Sequence, residues 1–227
     1  MKTRKPFWGL LSRRQCPVPT LRGWLAFLLL FLLLAWIAVR EVHPFLAMNE
    51  PIEEGVLVVE GWIPDYALKA AIAVFKRHHY GKIYVTGGPL DQGGPLSEYK
   101  TYAELGAAVL VRLGCSPDVV QPVPAALASR DRTFAAAMAF VRWTREHGVN
   151  AGSFNVISMG THSRRTHLLF EQALGNDSKV GIVSIEERDF DPKCWWRSSE
   201  GVKSVLGELV SYCYTKLLFN ASEANGQ

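Results

Sequence analysis

Residues 23–39 (GWLAFLLLFLLLAWIAV) run without a single charge. A helix of that length can cross the hydrocarbon core of a bilayer. The run has no polar face, unlike a helix buried on one side in a soluble domain. Trp24 and Trp36 fall near its two ends, where aromatic belts sit. Lys2, Arg4, Lys5, Arg13, Arg14 and Arg22 precede or flank the run, with no acidic residue among them. The positive-inside rule then puts the N-terminus in the cytoplasm. The competing reading is a cleaved signal peptide. Against it, the apolar core is long, and the following ArgGluValHisPro offers no small-x-small cleavage site. The chain thus divides into a basic cytoplasmic tail (1–22), a transmembrane helix (23–40), a polar linker with Pro44 and Pro51 (41–54), an extracytoplasmic domain (55–220) and a short tail (221–227). The expected location is a single pass through the inner or plasma membrane, with the bilayer as partner through residues 23–40.

The net charge of +4 belongs to the tail. With six of the 25 basic residues ahead of residue 23, 19 remain against 21 acidic. That balance gives the domain no basic face for nucleic acid. At 48% hydrophobic and 20% charged, the chain is not disordered. Four cysteines do not make a disulfide scaffold at this length. Cys115, Cys194 and Cys213 lie beyond the apolar run, and Cys194 with Cys213 is a candidate disulfide. No Cys or His spacing suggests zinc.

Short Val- and Ile-rich runs alternate with helical segments through the domain. Strands are predicted at 55–60, 82–86, 119–123, 154–158 and 179–185. Helices are predicted at 65–79, 97–113 (opened by Ser97), 132–147, 163–174 and 201–219. This alternation argues for a parallel α/β sheet with helices on both faces. The strands are apolar throughout rather than alternating, as expected when both faces are covered. Ligands of such sheets bind at the carboxyl ends of the strands. That rule selects Glu60-Gly61-Trp62, Thr86-Gly87-Gly88, the loop 124–133, and Ser158 to Arg165.

Ser158-Met159-Gly160-Thr161-His162-Ser163-Arg164-Arg165 follows a strand and opens a helix. Amides at a helix N-terminus attract anions. Arg165 could hold a phosphate or carboxylate by a bidentate fork, and His162 could act as acid or base near neutral pH. The plain alternative is a Ser163 helix cap with solvated arginines. Gly87 and Gly88 could let backbone approach a ligand, or simply make a turn. Glu98 is expected at the start of a helix, where the dipole alone explains a carboxylate. Arg130 and Thr133 belong to a charged cluster that either binds a ligand or caps a helix. Glu60, directly after a buried strand, must be paired or functional. Dinucleotide-binding GxGxxG, P-loop and GxSxG motifs are all absent, so neither a dinucleotide fold nor a Walker ATPase is indicated, and any cofactor is unknown.

The order of these segments resembles the DUF218 family, also called the ElyC/SanA/YdcF family, over roughly residues 53–219. Thr86-Gly87-Gly88 resembles its Ser-Gly-Gly, Glu98 its following Glu, Thr133 its Thr after the third strand, and Ser158 to His162 with Arg165 its His-x-x-Arg segment. Glu208, in GELVSYCYTKLL, resembles its Glu in the last helix. Strand one ends here in Glu60-Gly61-Trp62 where the family has glycines, and Arg132-Thr133 replaces its Asn-Thr. The resemblance implies a Rossmann-like domain, an N-terminal anchor and a role in bacterial envelope biogenesis.

The expected pocket is formed by Glu60, Thr86, Gly87, Gly88, Glu98, Arg130, Thr133, Ser158, His162, Ser163 and Arg165. His162 is expected to transfer protons, Glu98 to orient it, and Arg165 with the glycine amides to hold charge. The expected ligand is an anionic small molecule or lipid-linked precursor. A hydrolase or transferase of phosphate-bearing envelope precursors leads. A ligand-binding regulatory module and a scaffold for envelope proteins are the alternatives.

Overall fold

Val- and Ile-rich runs too short to bury themselves as helices pair into a five-stranded, all-parallel sheet. The computed structural model describes residues 20–53, 55–78, 80–128, 130–149, 152–175 and 178–221. The basic tail up to residue 19 and the C-terminal tail from 222 lie outside the described residues. The elements are α1 (Leu21–Leu46), β1 (Val56–Glu60), α2 (Asp65–Arg77), β2 (Ile83–Gly87), α3 (Tyr102–Arg112), β3 (Val120–Pro124), α4 (Arg132–Glu146), β4 (Ser153–Met159), α5 (Ser163–Leu174), β5 (Lys179–Ile185) and α6 (Ser199–Leu217). Strand order is β3-β2-β1-β4-β5, a Rossmann-like arrangement whose direction of winding reverses between β1 and β4.

The chain forms two units, Met1–Val39 and Arg40–Gln227. The first holds the apolar part of α1. Among the described residues α1 is the one helix long and apolar enough to cross a membrane, with a mean hydropathy of 2.3 over its best window. The second unit contains the segment 41–54 expected as a polar linker, of which residues 41–53 are described. Arg40 to Leu46 continue as helix through Pro44, with His43 and Leu46 buried. Asn155 Oδ1 accepts from Ile52 N and its Nδ2 donates to Ile52 O, both at 2.8 Å. Glu50 pairs antiparallel with Ile182.

Two apolar cores cover the two faces of the sheet. One packs α2 and α3 (Leu68, Ile72, Leu110) on Leu57, Val59, Ile83, Val85 and Ile157. The other packs α4 and α5 (Ala137, Phe140, Phe170) on Val58, Tyr84, Val123, Phe154 and Val156. Side chains alternate along a strand. Glu60, Thr86, Ser158 and Ser184, each two positions beyond a residue of the second core, therefore share its face. Glu60 pairs with Thr86 and Ser158 with Ser184 in the strand register. A polar row thus crosses four strands at their carboxyl ends, on the α4/α5 side.

Helix α3 begins later than its predicted start at Ser97. Thr101 is the cap: its Oγ1 accepts from Glu104 N, and Glu104 reaches back to the Thr101 amide. This reciprocal box outcompetes the isolated Ser97. Ser97 and Glu98 are left in the preceding segment. Cys194 and Cys213 are free thiols, so their candidate disulfide is not formed.

Gly87 ends β2 against α3. A Cβ there would lie 2.7 Å from Tyr102 Cβ and 2.9 Å from Ala103 N. Its lack of a side chain is therefore demanded by helix packing. Gly87→Ala should destabilise the protein by about 1–3 kcal/mol, measured by guanidinium unfolding of the full chain in detergent. Unchanged stability would contradict the close approach.

Candidate functional site

The polar row opens into a cavity of about 750 Å³ at the carboxyl edge of the sheet. Its walls include Glu60, Trp62, Thr86, Gly87, Gly88, Tyr102, Arg130, Asp131, Thr133, His162, Arg165 and Glu208. Eight of the eleven expected residues line it. Ser158 lies behind the wall: it is fully buried, and its hydroxyl donates to Glu60 Oε2. Two residues are elsewhere. Glu98 lines a separate shallow depression with Val111 and Pro117, because α3 starts after it. Ser163 is fully buried and does not line the cavity; its hydroxyl donates to Ser184 Oγ at 2.9 Å and caps nothing.

Glu60 organises the floor. Only 2% of it is exposed. Its Oε2 accepts from Ser158 and, at 3.3 Å, from Thr166 Oγ1. Its Oε1 stands 3.7 Å from His162 Nε2. His162 comes from the turn between β4 and α5. Its Nδ1 lies 2.9 Å from Glu208 Oε1, and its ring meets Trp62 edge-on at 5.1 Å between centroids. Arg165, one turn along α5, donates from Nε to Glu208 Oε2 at 2.9 Å and from Nη2 to Oε1 at 3.2 Å. Nη2 is also 3.0 Å from His162 Nδ1. Both atoms carry protons when the ring is charged, so the Nδ1 proton goes to Glu208 and Nη2 does the same.

The expected partner of His162 is thus corrected: Glu208 of α6, not Glu98, orients the ring. Glu208 is legible in the sequence only through the family resemblance. It sits in a helix whose docking brings together residues 43 and 46 positions apart. Arg165, expected to hold an anion, pairs with Glu208 through Nε and Nη2.

The cluster sets its own protonation. Burial alone would lower the His162 pKa, but the Glu60 charge and the Glu208 hydrogen bond raise it to about 9. Burial alone would raise Glu208, but His162 and Arg165 bring it down to about 2. Burial likewise pushes Glu60 up, and the His162 cation with the Ser158 hydrogen bond overcomes it, holding Glu60 below the usual carboxylate value. Two carboxylates and two cations then balance. The reason is the opposite charge within reach of each group. Thr133 Oγ1, on the first turn of α4, lies 3.4 Å from His162 Nε2, and both residues line the cavity. Among the described residues, no group of three His, Cys, Asp or Glu side chains is arranged to hold a metal ion.

A raised histidine pKa gives stability that is complete below its ordinary value of 6.5 and lost as pH rises through about 9. The melting temperature of the full chain in detergent should therefore fall from pH 7 to pH ~9.5. In His162→Gln that segment of the profile should flatten. A profile equally steep in the variant would contradict the assignment.

No protein-family model matches the chain, and no curated protein matches it.

Proposed function

We propose that the protein is a membrane-anchored enzyme acting on a phosphate-bearing substrate, with His162 as general acid. The observation that carries this reading is a histidine ring set between buried Glu60 and half-buried Glu208 on the cavity wall, with its Nε2 3.4 Å from Thr133 Oγ1. A histidine in that setting arrives protonated at neutral pH, which makes it a donor rather than a base. In hydrolysis of a phosphate ester, the bond from phosphorus to the leaving oxygen breaks and the His162 proton goes to that oxygen. Water oxygen forms the new bond to phosphorus, and the proton that water loses passes to solvent. Glu60 and Glu208 then draw a proton back onto the ring. Transfer to an acceptor hydroxyl follows the same course with that hydroxyl in place of water.

The place of action follows from the apolar segment 23–39 and the basic residues before it. They support a cytoplasmic N-terminus and an extracytoplasmic domain. Together with the DUF218-like order of motifs, this points to the precursors of the bacterial envelope, lipid-linked or nucleotide-linked. A second reading is a ligand-binding regulatory module. The mutual saturation of the four charges favours it, since a closed network can hold a shape without turning anything over.

The test is phosphate release by the full chain in detergent from a panel of prenyl phosphates, nucleotide-sugars and phosphatidic acid. His162→Gln should slow release by about 10²–10⁴-fold. The wild-type rate should fall as pH rises through about 9, where the acid form is lost. An unimpaired variant would end the general-acid reading and leave the binding module.

A further inference from the structure

Arg165 was the expected seat for an anion, and it is filled from inside the protein by Glu208. Unengaged donors remain on the other side of the cavity, around the start of α4. Asp131, its N-cap residue, is held at φ 50, and its side chain caps nothing. The first bond into the helix is Ala135 N to Asp131 O. No side chain among the described residues accepts from the amides of Arg132, Thr133 or Phe134. Such amides, with the helix dipole behind them, suit an anion.

A second observation points to the same place independently. Thr86 is 1% exposed and lines the cavity, and its hydroxyl has no hydrogen-bond partner. Leaving a buried hydroxyl unpaired is costly unless something else supplies the partner. Thr86 stands beside Glu60 in the strand register, on the face that α4 covers. Arg130, exposed and one residue before Asp131, lines the same cavity. No carboxylate of the described residues pairs with it, whereas Arg132 is held by Asp91 at 2.5 Å. The neighbouring Glu60, His162, Glu208 and Arg165 are neutral in sum, as are Arg132 with Asp91, while the Asp131 carboxylate on the same wall offsets the charge of Arg130.

We propose that the N-terminus of α4, the Thr86 hydroxyl and Arg130 form a seat for a terminal phosphate group. Three amides, a buried hydroxyl and a guanidinium match the oxygens of a phosphate monoester better than those of a diester. Thr133 belongs to both halves of the site: its amide is in the seat and its hydroxyl is against His162 Nε2. A phosphate held there presents its ester oxygen to the ring. The direction of the bound ester rests on the enzymatic reading, while the seat does not.

The seat is tested by thermal shift of the full chain in detergent with inorganic phosphate, with short-chain phosphatidic acid, and with short-chain phosphatidylcholine as the diester control. Phosphate and phosphatidic acid should each raise the melting temperature saturably, and phosphatidylcholine should not. Binding of phosphatidic acid alone would still support the seat and identify a lipid source. Thr86→Val and Arg130→Gln should each weaken binding at least about tenfold. Arg164→Gln, the same charge change outside the cavity, should not. Without ligand, Thr86→Val should melt no lower than the wild type, because the hydroxyl it removes is unpaired. The proposal is overturned if neither phosphate compound binds, if binding survives both seat variants, if Arg164→Gln weakens it equally, or if unliganded Thr86→Val is strongly destabilised. His162-dependent turnover without phosphate binding would sink the seat alone. Phosphate binding without turnover would sink the enzymatic reading alone.

Discussion

A carboxylate at the end of a buried strand must be compensated, and Glu60 sets that requirement for the whole site. Removing such a charge from water costs several kcal/mol unless opposite charge and hydrogen bonds replace the solvent. Ser158 and Thr166 supply hydrogen bonds, and His162 supplies charge. His162 meets Glu208 through its other nitrogen, and Arg165 pairs with Glu208. Each group is explained by the one before it. The last member comes from α6, so the docking of the final helix is coupled to the first strand.

The sheet supplies the place. The winding reverses between β1 and β4, and the crevice there receives the ends of both strands. The last residues on the α4/α5 face are polar on four adjacent strands: Thr86, Glu60, Ser158 and Ser184. Below that row the same face is Val, Tyr, Phe and Ile. The site is thus the polar rim of an apolar core. Ser158 satisfies Glu60 and Ser163 satisfies Ser184. Thr86 is part of the cavity wall, and its buried hydroxyl has no hydrogen-bond partner. The two halves of the cavity therefore differ in kind. One is closed by its own charges, and the other holds the uncapped start of α4.

Much of this architecture is legible in the sequence, for a local reason. Apolar runs bounded by glycine and polar residues encode strands and helices within a few positions, and β5 and α5 fall at their expected limits. The carboxyl-end rule then selects four segments that all contribute to the cavity wall. What is not legible depends on competition or on distance. Ser97 looks like a helix start until Thr101 and Glu104 form the better cap. Glu98 looks like the partner of His162 because it lies near a predicted helix start. Glu208 takes that role through contacts over more than forty positions, which no local pattern announces. Arg165 looks free in the sequence for the same reason. Residues 41–54 look like a linker because their polar groups hide the fact that Asn155 is buried to receive Ile52.

The most direct measurement is the protonation of the His162 ring by NMR, on the full chain with labelled histidine in detergent micelles. His162→Gln would assign the signal. The account predicts an imidazolium that persists through neutral pH and titrates near 9. A ring that is already neutral at pH 7, titrating at or below the ordinary 6.5, would mean that Glu60 and Glu208 do not hold it as a cation. The charge balance on which the whole site has been built would then be wrong.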